Sequence, residues 1–326
     1  MENAKDSNLP TNEIEIDRRI REANKEWERS AHEKKTSDTG FECWSILSNG
    51  EYGASFPTTE RIPAGFYEIQ YRHSIGANVM VQKSVNSDEL YQLPSKEITD
   101  IIEDIQKFWN NAVKYREYTF IHKRGILLYG PPGCGKSGII QLCTRHLIEN
   151  LDGIIINIPD IDAIHRYNEF IDSFRKIEPN RPLIVILEDL DSIAGENRHE
   201  TSLVLNILDG VKQIENVVYI ATTNYPERLE ERITNRPSRF DRRYEIGMPE
   251  VEVRRAYIES KVTKEDLKTI DMDSWLKYTE DMSLAHLREL VVSVMAMRNS
   301  FEETIERLSG LKIKPKIGSK SSIGFR

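Results

Sequence analysis

The sequence predicts an α/β protein with a parallel sheet flanked by helices, followed by a C-terminal helical lid and preceded by a small β-rich region. Three observations carry that prediction. Apolar runs of strand length alternate with helix-length segments between residues 125 and 222. A glycine-rich turn joins the first of these strands to the first helix, and the pattern after Pro249 is almost wholly helical. Such alternation sets parallel strands side by side with helices on both faces.

At 326 residues, with about 150 residues per domain, the chain has room for about two domains and a core that needs no staples. Apolar residues at 39% and charged residues at 30% fit the globular class and not the collagenous, wholly disordered or membrane-embedded ones. No apolar run approaches the ~20 residues of a membrane span, and the polar first ten residues contain no signal-peptide core. A cytoplasmic protein with no membrane partner is therefore expected. Cys43, Cys134 and Cys143 are odd in number and form no C-x-x-C pair, which argues against a disulfide framework or a zinc site. Lys plus Arg at 45 against Asp plus Glu at 53 leaves a net charge of −8. That disfavours a protein coating nucleic acid by counterion release, although a local basic patch remains open.

Along the chain, residues 1–40 carry dense mixed charge, and are read as a charged arm, either a solvated helix or unfolded. Residues 41–95 turn to Tyr, Phe, Ile and Val punctuated by Gly and Pro, which reads as short strands in a small β-rich domain. Apolar residues at helical spacing over 98–115 predict a helix leading into the main α/β domain, residues 96–248. Within it, strands are predicted at 125–129, 153–158, 183–187 and 217–222, and helices from Lys136, over 163–176 and over 200–208. The lid, residues 249–310, is predicted to hold helices at 251–262, 283–298 and 302–308. The tail 311–326 has five basic residues and no acid; it reads as a flexible segment or as a docking tail ending in Ile323-Gly324-Phe325.

Gly130-Pro131-Pro132-Gly133-Cys134-Gly135-Lys136-Ser137 matches G-x-x-x-x-G-K-[ST] between a strand and a helix, the context that makes the pattern a phosphate site. Its glycines, with Gly138 just beyond, let the chain wrap closely, so that amides and the helix N-terminus face the β- and γ-phosphates of ATP. Lys136 adds a point charge and Ser137 a hydroxyl for Mg²⁺. Cys134 reads as a small filler of the loop.

A Mg²⁺ site also needs carboxylates at another strand end, and Glu188-Asp189-Leu190-Asp191 follows the apolar run 183–187. Open α/β sheets place their chemistry at such tips; the bland alternative is an acidic loop capping the next helix. The strand over 217–222 ends at Thr223-Asn224, where Asn224 is either a turn residue or an amide that senses the γ-phosphate or the attacking water. Further on, Arg236, Arg239, Arg242 and Arg243 crowd eight residues. They form either a surface ion-pair cluster or a source of guanidinium for a neighbouring subunit's γ-phosphate.

In order and approximate spacing these motifs resemble the AAA family of P-loop ATPases, over roughly residues 98–308. More closely, Phe108-Trp109, Lys123-Arg124-Gly125, residues 203–211 and residues 222–229 resemble the branch that includes the mitochondrial Rieske-protein translocase, an assembly chaperone of respiratory complex III. Soluble relatives of tailed bacteriophages are similar to it, and for one of these the host cytoplasm is implied. The resemblance implies Glu188 on the Mg²⁺ side, Asp189 as the base that orients water, Asn224 as first sensor, and Arg236 and Arg239 as arginine fingers acting in trans. It also implies a homo-oligomeric ring, hexamer or heptamer, that acts on a protein client. The Glu-Asp order departs from the commoner Asp-Glu and is similar to that of the translocase branch. Ser283-Leu284-Ala285-His286-Leu287 resembles the second-sensor helix, which in this branch lacks an arginine; Arg288 is nearby. Residues 157–167 contain no aromatic-aliphatic-Gly pore loop, and Tyr167 is a weak substitute. Three readings stay open on the sequence: a protein-remodelling ATPase, an ATP-gated scaffold or switch with slow turnover, and a DNA-associated loader or helicase-type motor.

Overall fold

A computed structural model gives the fold and describes residues 43–46, 52–55, 58–84, 91–194, 198–209, 213–234 and 239–310. The arm expected over 1–40, the tail expected over 311–326 and Arg236 lie outside the described residues. The chain divides into two units between Glu60 and Arg61. In the first, β1 (Cys43–Ile46) pairs antiparallel with β2 (Tyr52–Ser55), Cys43 opposite Ser55 and Ile46 opposite Tyr52.

The second unit is built on a sheet of order β4-β3-β6-β7-β8-β5-β9. Its strands are β3 (Gly65–Arg72), β4 (Ala77–Lys83), β5 (Lys123–Tyr129), β6 (Ile154–Asn157), β7 (Leu183–Leu187), β8 (Val217–Thr223) and β9 (Arg242–Glu245). All neighbours are parallel except β3 and β4. The separate β-rich domain expected over 41–95 is thereby corrected. β3 pairs along β6, from Gly65 opposite Ile154 to Glu68 opposite Asn157, so β3 and β4 widen the main sheet. Tyr67 and Ile69 of β3 are buried in the same core as Ile154, Ile156 and Leu183. A period-two pattern reads alike in an independent hairpin and at a sheet edge, which is why the sequence placed the boundary too late. β9 was not foreseen: three of its four residues are charged, and as an edge strand it is held by pairing with β5 and not by burial.

Helices cover both faces. α1 (Lys96–Asn110), α2 (Ala112–Glu117), α3 (Lys136–Leu151), α4 (Ile161–Ile177), α5 (Leu190–Ala194) and α6 (Arg198–Asp209) follow in chain order. One face of the central strands (Ile154, Ile156, Val185, Leu187) packs on Ile164 and Tyr167 of α4 and Val204 and Leu208 of α6. The other (Ile155, Ile184, Ile186, Ile220) packs on Ile101 and Ile105 of α1 and Ile139, Cys143 and Leu147 of α3. Burial on both faces accounts for the unbroken apolar runs of β6 and β7. The single helix expected over 98–115 breaks at Asn111, whose side-chain amide donates to the Lys107 carbonyl at 2.6 Å. Tyr167 is a core residue with its hydroxyl 3.2 Å from that of Tyr219, which removes it from any client-gripping loop.

After α7 (Glu231–Thr234) and β9, the chain passes through Gly247, Met248 and Pro249 into α8 (Val251–Lys261), α9 (Lys264–Leu267), α10 (Met272–Tyr278), α11 (Leu284–Val291) and α12 (Phe301–Ser309). Thr263, Asp271, Ser283 and Ser300 cap four of these helices, each side chain accepting a backbone N–H three residues on. Ile258, Trp275, Met282, Leu290, Ile305 and Leu308 form a core of their own. Buried Arg254 donates to the carbonyls of Pro249 at 3.0 Å and Leu276 at 3.2 Å. Among the described residues no helix is long and apolar enough to cross a membrane.

If β3 belongs to the main sheet, Tyr67→Ala destabilises the whole second unit, by about 3–5 kcal/mol as for other aromatic truncations in cores. Urea unfolding should then show one transition at lower midpoint; a separate early transition would restore the independent domain.

Candidate functional site

Three strand ends converge at one edge of the sheet. β8 lies between β5 and β7 and is parallel to both, so the residues after each strand leave on the same side, where open α/β sheets bind ligands. Gly130 follows β5, Glu188 follows β7 and Asn224 follows β8. The chain thus brings together motifs that lie far apart in sequence.

After β5, Gly130, Pro131, Pro132, Gly133, Cys134 and Gly135 form the turn, and α3 starts at Lys136 with Ser137 and Gly138 in its first turn. That helix N-terminus has no side-chain cap, which leaves its first amides for a ligand. Lys136 is buried and its Nζ donates to the carbonyls of Gly130 at 2.8 Å and Pro131 at 2.9 Å. Burial lowers its pKa, opposed by the Cys134, Asp189 and Asp191 groups. A polyphosphate would give this ammonium the anionic partner that the two carbonyls do not. Cys134 is buried with its Sγ 3.6 Å from Met248 Sδ, and burial raises its pKa, as befits a loop filler and not a nucleophile.

β7 ends opposite Ala221, whereas β8 continues to Thr223, so Thr222 and Thr223 overhang the turn after β7. Successive strand residues point to opposite faces, and each threonine takes one carboxylate-bearing residue. Asp189 N–H donates to Thr222 Oγ1 at 3.1 Å, and Thr223 Oγ1 donates to Asp191 Oδ1 at 2.6 Å. Asp189 has a left-handed backbone with φ 50°, a conformation found at sites where a side chain is aimed. Its Oδ1 accepts from Asn224 Nδ2 at 3.1 Å. Two predicted residues, Asp189 and Asn224, are therefore in direct contact, with Glu188 half-buried beside them. The roles of Thr222, Thr223 and Asp191 were missed, although two threonines closing an apolar strand were a visible signal.

Hydroxyl from Ser137 and carboxylate from Glu188 are hard oxygen donors that suit Mg²⁺. No three or more His, Cys, Asp or Glu residues among those described form a metal site by themselves. A divalent ion here needs phosphate oxygens and water to complete its shell, which is how Mg²⁺ is usually held.

The lid reaches the same loop. Ala285 N–H donates to the Gly133 carbonyl at 3.1 Å. Gly133 has φ +78°, and a Cβ there would lie 2.8 Å from Ser283 Oγ and 2.9 Å from Ala285 Cβ. Beside it opens a cavity of about 310 Å³ whose apolar walls include Leu93, Ile98, Ile139, Leu142, Tyr257 and Leu284. This is a fitting enclosure for a planar base next to a phosphate loop. Arg288, left open by the sequence, lines that cavity one turn after Leu284. Arg239, expected as a finger acting on a neighbouring subunit, is buried within its own chain, with Nε 3.7 Å from Asp209 Oδ2 and Nη1 donating to the Arg232 carbonyl.

Gly133→Ala combines backbone strain of about 1–3 kcal/mol with a collision against the lid. Calorimetric titration should show nucleotide affinity reduced about tenfold or more; unchanged affinity would mean that the lid seat and the phosphate loop are independent.

Residues 126–248 match the family described as ATPase family associated with various cellular activities (AAA). The chain is 27% identical over 243 residues to the ATP-dependent zinc metalloprotease FtsH 2 of Thermoanaerobacter sp. (strain X514), covering 67% of this chain and 47% of that protein. It is 30% identical over 181 residues to the Cell division cycle protein 48 homolog of Archaeoglobus fulgidus, covering 51% and 24% respectively. To the Proteasome-activating nucleotidase of Pyrococcus horikoshii it is 25% identical over 232 residues, covering 66% and 57%. The chain thus spans between about a quarter and three fifths of the length of these relatives. Residues 126–248, which hold the phosphate loop and the paired Asp189 and Asn224, are thus similar to the ATPase domain of the AAA family.

Proposed function

We propose that the protein is a Mg²⁺-dependent ATPase, converting ATP to ADP and phosphate, that works as a homo-oligomeric ring of six or seven subunits and remodels or assembles protein clients. The observation that carries this reading is the hydrogen bond from Asn224 to Asp189 at the edge where the phosphate loop also emerges. In the proposed cycle the loop amides and the N-terminus of α3 hold the β- and γ-phosphates, and Lys136 exchanges its two carbonyl partners for phosphate oxygens. Mg²⁺, held by Ser137 and Glu188, would supply neutralising charge for the β- and γ-oxygens. Asp189, its carboxylate oriented by Asn224, positions the attacking water and takes its proton. Arg236 of an adjoining subunit is assigned the guanidinium that stabilises charge as the terminal phosphoryl group departs.

The contact of Ala285 with Gly133 gives the cycle an output, because movement of the loop is felt directly by the lid. A protein client is supported by relatives named as a metalloprotease and a proteasome activator, and by the net charge of −8, which weighs against a nucleic-acid motor. The Glu188-Asp189 order and the segments 203–211 and 222–229 support placement in the Rieske-translocase branch, as a cytoplasmic, phage-type relative. We assign client selection to the N-terminal region. A second reading, an ATP-gated scaffold with very slow turnover, is favoured by one feature: Asp189 is one methylene shorter than the usual glutamate.

Lys136→Ala should lower phosphate release on the order of a hundredfold through loss of both binding and charge stabilisation. Asp189→Asn should lower kcat by about 10²–10⁴-fold with nucleotide still bound, and Asn224→Ala by about tenfold through loss of carboxylate orientation. Phosphate release and nucleotide titration check all three; a Lys136→Ala protein as fast as wild type would remove the site assignment. Ring assembly that requires ATP while the steady-state rate stays near zero would favour the switch.

A further inference from the structure

We infer that the cavity between α1, α2 and the first residues of β5 is a docking site for an acidic protein segment that carries an aromatic side chain. It stands apart from the phosphate loop, which leaves the other end of β5, and from the client selection assigned to the N-terminal region. Binding there needs no nucleotide chemistry.

The cavity encloses about 300 Å³, and its walls include the rings of Phe108, Tyr115, Tyr118 and Phe120. Phe108 is buried and meets Tyr115 edge-on, with ring centroids 5.6 Å apart. Tyr118 and Phe120 are instead 68% and 66% exposed, although their rings lie beside one another at 6.5 Å. Val113 and Ile121 are exposed as well. Single apolar side chains in water are ordinary, but a group of them bordering a cavity marks a contact surface.

The backbone holds the two outer rings in place. Thr119, between them, has φ 58°, a left-handed conformation that β-branched residues rarely adopt. The N–H groups of Tyr118, Thr119 and Phe120 donate to the carbonyls of Lys114, Arg116 and Tyr115 at 3.0, 3.0 and 2.8 Å. Three hydrogen bonds thus fix a strained turn whose rings gain little burial in return. Strain retained in this way is a property of binding sites more than of cores.

The charge around the cavity is opposite in sign to that of the chain. Residues 107–124 hold five Lys and Arg and a single acid, Glu117, in a protein of net charge −8. The two acids just before them are already matched: Glu103 pairs with Lys107 at 2.8 Å, and Asp104 accepts from Arg124 Nη2 at 2.8 and 3.1 Å. Lys114, on the cavity wall, and Arg116, one residue past Tyr115, are exposed and have no side-chain partner among the described residues. The surface therefore offers aromatic walls for one large side chain and free cations for carboxylates beside it. A nucleic-acid strand fits less well, because a phosphate at every nucleotide would meet Asp104, Glu103 and Glu117 as well as the cations.

The test is fluorescence anisotropy on the full chain with a labelled peptide of one Trp flanked by glutamates. Its forms with Ala for Trp and with Lys for Glu are compared, together with a labelled oligothymidylate. The Glu-Trp peptide should bind, more weakly as salt is raised, and both altered forms should bind about tenfold or more less tightly. Tyr118→Ser combined with Phe120→Ser, and Lys114→Glu alone, should each weaken the Glu-Trp peptide by about tenfold or more, with thermal unfolding unchanged because all three side chains are exposed. Lys176→Glu makes the same charge change on α4, across the sheet, and should leave affinity within about twofold. Failure of the Glu-Trp peptide to bind, equal binding of its Ala form, or a Lys176→Glu defect as large as that of Lys114→Glu overturns the inference. So does an oligothymidylate that binds more tightly than the peptide and is lost in the same variants. Variants that abolish self-association in sedimentation while the peptide still binds assign the surface to a second copy of the chain, and overturn it too.

Discussion

The site depends on the register with which β8 is laid between β5 and β7. Because β8 outruns β7 by two residues, two hydroxyls stand over the turn that carries the acids. Neither hydroxyl would reach if β8 were shifted by one residue, since a slip of one exchanges the faces on which side chains project. The apolar residues of β7 and β8, buried on both faces, make that slip costly, because it would trade core contacts for mismatched ones across the entire sheet. Hydrophobic packing of the sheet interior thus fixes the positions of polar groups at its rim.

That division of labour explains the Asp189 backbone. A residue with φ 50° is strained unless its surroundings hold it. Here its N–H is bound by Thr222 and its carbonyl accepts from Ser192 at 2.7 Å. The acid is aimed by its neighbours before any ligand arrives, the condition under which charge stabilisation needs no reorganisation during reaction.

Much of this was legible in the sequence. The strand over 183–187 was read at its exact bounds, and α3 at its Lys136 start, because continuous apolar runs and a glycine-rich turn are local signals. The phosphate-loop motif, Glu188, Asp189 and Asn224 are local signals of the same kind, and the structure places all of them at one edge of the sheet. What was lost depended on partners distant in sequence. β3 joins β6 across some ninety residues of chain, and β9 has no apolar alternation to reveal it. The cavity wall shared by Leu93 and Leu284 likewise exists only once the lid has closed on the core. Tyr167 is the converse case, an aromatic whose position suggested a surface task and whose burial assigns it to packing.

Arg254 carries a mechanical consequence. By gripping both Pro249 and Leu276 it welds the final residues of the connector to the bundle that follows, so bending is confined to the few residues before Pro249. Ile246 is itself anchored, its N–H bound to the Tyr129 carbonyl at 2.7 Å, which leaves Gly247 and Met248 as the pivot, with open space around Gly247. The 11 residues of α8 span about 16 Å, with Val253 seated in the core shared with α1 and α3. A rotation at Gly247 and Met248 would carry the far end of α8 through roughly 0.3 Å per degree by that length, and would have to shift Val253 within that core.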